Sequence, residues 1–165
     1  MRQRMTAWIF ALLALLQPLH SLLAKEAACV ATTHGCIAIN PDVTPATIKE
    51  TMCLRGYTKQ VRPAVVYTNG VKKLLMKRQG IDLSHIHEYE LDHIIPLELG
   101  GHPRSLTNLQ LQPWEGDTGA KAKDKLETRL HNAVCRGKLP LTEAQRCIAE
   151  NWVRCAAQHP GRRQH

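Results

Sequence analysis

Six cysteines, Cys29, Cys36, Cys53, Cys135, Cys147 and Cys155, constrain this chain more than any other feature. Their meaning depends on what precedes them. The opening "MRQRMTAWIFALLALLQPLHSLLA" sets Arg2 and Arg4 ahead of an apolar run from Ala7 to Leu16, the pattern of a secretory signal with cleavage expected after Ala24. That run is too short for a membrane span, which takes about 20 residues. All six cysteines lie beyond it, and an even count in an exported chain points to disulfides. No CxxC pair is present, so a thiolate zinc site lacks its usual closely spaced ligands. The expected bridges are Cys29 with Cys36, closing a short loop, and Cys53 with Cys135. Cys147 and Cys155 are expected not to pair. Their segment reads as one helix, in which eight residues rise about 12 Å, whereas bridged Cα atoms lie within about 7 Å of each other.

With residues 1–24 set aside as the signal, what is left suits one domain with a modest core. An irregular arm is expected over 25–41, a single domain over 42–158 with its chemistry at 87–135, and a flexible tail over 159–165. Within the domain, Thr44 before Pro45 reads as the start of a helix carrying Ile48, Met52 and Cys53 on one face until Gly56. A connector follows. Val65 to Gln79 reads as an amphipathic helix with Val71, Leu74 and Leu75 on one side and a basic face of Lys72, Lys73, Lys77 and Arg78. Tyr89 to Pro96 and "LTNLQLQPW" alternate as strands. Ala120 to Cys135 repeats Leu126, Leu130, Ala133 and Val134 at helical spacing before Gly137. A last helix is expected to start at Thr142, with Gln145 completing a capping box, and to run to about Ala157. The fold class is therefore α+β.

The formal net charge is +8, two less once Arg2 and Arg4 are removed, a balance that favours a polyanionic partner without naming one. The basic face of 65–79 would suit a DNA backbone, where each neutralised phosphate releases counterions; an ordinary solvated face reads equally well. Beyond the signal the aromatics are Tyr57, Tyr67, Tyr89, Trp114 and Trp152, too few to suggest a stacking platform for single strands. No motif reads base edges, so sequence specificity is not expected.

The stretch "YELDHIIPLELGG" sets Asp92 and His93 side by side in a strand that runs into a glycine turn. With "NLQLQP" and "AKAKDKLE" after it, the order strand, loop, strand, helix resembles an HNH endonuclease, the ββα-metal fold, of the exported bacterial type. The flanks "TPATIKETMCLRGYTKQVRP" and "VCRGKLPLTEAQRCIAENW" are similar more loosely. The resemblance implies an α+β, disulfide-stapled ββα-metal core with flanking helices. It also implies roles. His93 would be the general base, its ordinary pKa of about 6.5 suiting proton removal near neutrality. Asp92 would be a metal ligand, and Asn108 the residue whose amide holds the loop and, through it, the histidine.

This chain departs from the pattern at the helix start, where relatives carry histidine or asparagine and, four residues on, a second polar group. Gly119 and Lys123 stand there. Lys123 would assist catalysis by its charge, and Asp117 or Asp124 would supply the missing carboxylate ligand. His85, His87 and His102 read as surface residues that could add ligands, and Glu90, on the same strand face as Asp92, reads either as a second carboxylate behind it or as an exposed residue. The implied cofactor is a divalent metal ion, magnesium or manganese first and zinc or nickel next. The implied function is exported, metal-dependent hydrolysis of DNA leaving 5′ phosphates, with no membrane association after signal cleavage. The alternative is a catalytically impaired protein of the same fold that binds DNA or another polyanion.

Overall fold

The structure, a computed structural model, describes residues 28–161; the expected signal and the last four residues of the tail lie outside them. It is a mixed α/β protein with two small two-stranded sheets and three disulfides. The first sheet is the hairpin β1 (Cys29–Thr32) and β2 (Gly35–Ala38), closed across Cys29 and Cys36. The arm expected to be irregular is thus ordered over most of its length. Its pairing is antiparallel, and the Thr33 backbone N–H donates to Glu150 Oε2 at 3.1 Å, tying the hairpin tip to the last helix.

The helix expected from Thr44 does not form. Residues 41–56 run as successive turns, with Thr47 N bonded to Thr44 O, Glu50 N to Thr47 O and Leu54 N to Thr51 O. Threonine hydroxyls compete with the helical ladder here: Thr47 Oγ1 donates to Asp42 O at 2.7 Å and accepts from Thr44 N at 2.9 Å. The turns still bury Val43 and Met52. Cys53 is joined to Cys135 as expected. A short helix α1 (Tyr57–Val61) occupies the supposed connector, and α2 (Val65–Arg78) follows, turning Val71 and Met76 inward and leaving Leu74 partly exposed.

The second sheet pairs β3 (Tyr89–His93) with β4 (Leu109–Pro113), antiparallel and in unbroken register from Tyr89↔Pro113 to His93↔Leu109. Helix α3 (Ala120–Cys135) buries Leu126, Leu130 and Val134, each four residues from the last, against Ile95, Leu99 and helix α4 (Leu141–Gln158). The capping box at Thr142 is not used. The helix begins after Pro140, and buried Gln145 instead donates to Leu99 O at 2.8 Å.

Helix α4 corrects the cysteine argument. The first two bridges leave Cys147 and Cys155 only each other, and the structure joins them, with Cα atoms 5.4 Å apart. This is possible because α4 is not one continuous helix. Asn151 is extended (φ −165°, ψ 97°), and its Oδ1 accepts from the Arg154 backbone N–H at 2.9 Å, capping a second helical segment. The break removes the rise that a straight helix would have imposed. Among the described residues no helix is long and apolar enough to cross a membrane. The three disulfides fit an extracellular, oxidising setting.

Candidate functional site

The end of β3 and the loop after it are held by Asn108, which is fully buried. Its Oδ1 accepts from Ile95 N at 2.8 Å, and its Nδ2 donates to Ile95 O at 3.0 Å and to His102 O at 3.1 Å. A buried amide that meets three backbone groups fixes the loop in one shape. Gly101 permits that approach: a Cβ there would lie 1.8 Å from Ile95 O and 2.7 Å from Asn108 Nδ2. Gly100 has φ +76°, and a Cβ on it would strike Val43. The double glycine thus closes the loop around Asn108.

His93 is the last residue of β3 and is buried. Its Nε2 lies 3.2 Å from Pro103 O, which can only accept, so that nitrogen carries the proton and Nδ1 is left as the acceptor. Burial lowers the His93 pKa, with the Pro103 carbonyl and Asp92 opposing the shift. The ring is therefore neutral near pH 7. Asp92 precedes it and accepts from His93 N at 2.7 Å through Oδ1. Asp92 and His93 line one cavity of about 210 Å³, and they do so without a bulge in the ladder.

The same cavity gathers Glu90, Glu98, Asp124 and Glu127. Crowded carboxylates out of water disfavour their own ionisation. Burial, then Asp92 and Asp124, push Glu90 up to about 7, and one of its oxygens is buried with no hydrogen-bond partner. Burial pushes Glu127 up to about 7 against the pull of the Lys123 ammonium. Asp124 is raised by burial and then by Asp92, and Glu98 chiefly by burial.

Lys123 is 1% exposed and lies beneath β3. Its Nζ meets Asp92 Oδ2 at 2.9 Å, donates to His93 O at 2.8 Å, and pairs with Glu127 one helical turn on. Burial alone would lower its pKa, but Asp92 and Glu127 outweigh that and hold it above the ordinary lysine value. All three of its protons are used. Its place is that of an internal counter-ion clamping β3 to α3, not of a group that meets a ligand in the cavity.

The remaining candidates separate cleanly. Asp124 lines the cavity, whereas Asp117 is exposed in the turn before α3 and does not. Gly119 has a structural cause, since a Cβ there would lie 2.4 Å from Glu115 O. No histidine or asparagine fits that position. His85 pairs with Glu88 at 2.7 Å on the surface, and His102 Nδ1 accepts from Arg104 N and Ser105 N, a loop-shaping role. Neither they nor His87 line the cavity. Sequence reasoning missed Glu98, Glu127 and Arg62, which do. Lys123 and Glu127, four apart on one helix, were the legible signal for one of them.

Cys147, Cys155 and His159 form a second group that could hold a metal ion, their ligand atoms lying within 4.8 Å of one another. The two sulfurs are joined as a disulfide, so this group offers thiolates only after reduction. A more open hollow of about 670 Å³ runs beside it along α4. No protein-family model, curated protein or solved structure matches this chain.

Proposed function

We propose that β3, the loop, β4 and α3 form a ββα-metal core of HNH type, and that the protein is an exported endonuclease hydrolysing DNA with little sequence specificity. One observation carries this reading. A neutral, buried imidazole with its Nε2–H committed to Pro103 keeps Nδ1 as its proton acceptor, and the residue lines a cavity crowded with carboxylates.

The donor set suits a hard divalent cation such as magnesium or manganese, since it is built of carboxylate oxygens and includes a buried Glu90 oxygen that lacks a partner. Glu90, Asp92 and Asp124 would hold it. Such an ion, when bound, supplies positive charge for the phosphate and the departing 3′ oxygen. His93 takes the proton from the attacking water at Nδ1, and the Pro103 carbonyl holds the ring while it does so. Asn108 positions the loop that carries this carbonyl. Lys123 holds Asp92 and the His93 backbone in place from below. Export would place the activity on extracellular or periplasmic DNA, away from the producer's chromosome.

A non-catalytic polyanion binder is the second reading. It is favoured by Asp92, both of whose oxygens already have partners: His93 N on one, Lys123 and Gln110 on the other. Plasmid nicking by the oxidised protein, with and without EDTA, separates the two. Cleavage that needs a divalent ion and is lost in His93→Ala supports the nuclease; binding without cleavage under any of magnesium, manganese, zinc or nickel overturns it.

A further inference from the structure

We propose that Arg62 receives the phosphate of the nucleic-acid substrate at this cavity, an assignment that rests on the nuclease reading and deepens it. Arg62 ends α1, with an extended backbone (φ −61°, ψ 128°) just before Pro63, and it lines the cavity beside His93. Thr58, one helical turn earlier, lines it too.

Charge singles out Arg62. A phosphodiester approaching His93 meets the fields of Glu90, Asp92 and Asp124, which repel it. Lys123 offsets part of this from below, but it is buried and all its protons are engaged, so it has no donor left for a phosphate. Arg62 is differently placed. The residue is exposed, its backbone N–H donates to Thr58 O at 3.0 Å, and its guanidinium makes no hydrogen bond or ion pair with any described residue, yet it acts electrostatically on Glu90, His93 and Asp124. A guanidinium that lies near three ionisable groups but is paired with none keeps its planar fork of donors for a ligand. That fork matches two phosphate oxygens at once. An ion held by the carboxylates and Arg62 on the rim would then share the phosphate's charge.

The test uses the oxidised full-length protein and its Arg62→Ala and Arg62→Lys variants in two arms. The first is plasmid cleavage with magnesium or manganese. The second is fluorescence anisotropy of a labelled DNA duplex with calcium, to read binding apart from chemistry. Loss of one charge-assisted bidentate contact should lower kcat/KM and duplex affinity about 10- to 100-fold in Arg62→Ala. Arg62→Lys should recover only part of this, because lysine restores the charge without the fork. If Arg62 merely balanced the carboxylates, lysine would restore full activity, and that result would overturn the assignment. Equal cleavage and binding by wild type and Arg62→Ala would also overturn it while leaving the nuclease reading intact. If wild type binds duplex but never cleaves, the nuclease reading falls, and Arg62 is judged on affinity alone. If wild type neither binds nor cleaves, both fall. Unchanged thermal midpoints exclude unfolding as the cause of any loss.

Discussion

Replacing Lys123 with methionine keeps most of the buried stem and removes only the charge and its three protons. Asp92 Oδ2 at 2.9 Å, His93 O at 2.8 Å and Glu127 would each lose a partner, and the two carboxylates are each only 12% exposed. Removing one member of a buried ion pair costs about 3–5 kcal/mol, mostly from the charge left behind. The upper part of that range is expected, since one ammonium serves two carboxylates and a carbonyl. Urea unfolding of the oxidised protein at pH 7 measures it. The pH dependence gives a second check. The folded pKa of Lys123 is raised, so its contribution is fully present below the ordinary lysine value and fades only as pH rises through the folded one. Between pH 5 and 8 the penalty therefore changes through the carboxylates. Glu127, held at about 7, takes up a proton as pH falls, so the loss in Lys123→Met should shrink toward pH 5. Adding Glu127→Gln should recover part of the stability at pH 7. A loss below about 1 kcal/mol at pH 7, with no dependence on pH, would refute the clamp.

Asn108→Ala strips partners from Ile95 N, Ile95 O and His102 O, and should cost about 3 kcal/mol at roughly 1 kcal/mol per bond, read by the same unfolding curves. Glu90 bears on stability in EDTA: its pKa rises from 4.5 to about 7, so its contribution is complete below about pH 4.5 and is lost as pH climbs through 7. The thermal midpoint should fall between pH 5 and 8, and Glu90→Gln should flatten that fall; identical slopes would contradict the burial argument. Non-reducing tryptic mapping should recover the peptide that begins at Cys147 linked to the one that begins at Cys155, and either peptide found joined to another cysteine would overturn this bridge.

Several elements were legible because their causes are local. Leu126, Leu130 and Val134 repeat at helical spacing in a segment without a breaker, and the helix Ala120–Cys135 forms where that pattern lies. The alternation around Leu91 and Leu111 marks both strands of the second sheet, and the short spacing of Cys29 and Cys36 suits their bridge. Asp92, His93 and Asn108 were visible as unusual polar residues at the ends of those strands. The turns at 41–56 were misread because apolar spacing does not report that Thr47 takes over hydrogen bonds a helix would need.

What the residue order by itself determined was a cysteine-bridged α+β chain with an aspartate–histidine pair at the end of a strand. Only the tertiary structure decided that Lys123 points inward as a counter-ion, that Glu90, Glu98, Asp124 and Glu127 share one cavity with Arg62, and that Asn151 breaks α4 so that Cys147 reaches Cys155. The physical reason is common to all three. Periodicity reports which face of an element is buried, whereas the charge balance of a cavity depends on side chains from a strand, a loop and two helices, and none of those distances is written in local sequence.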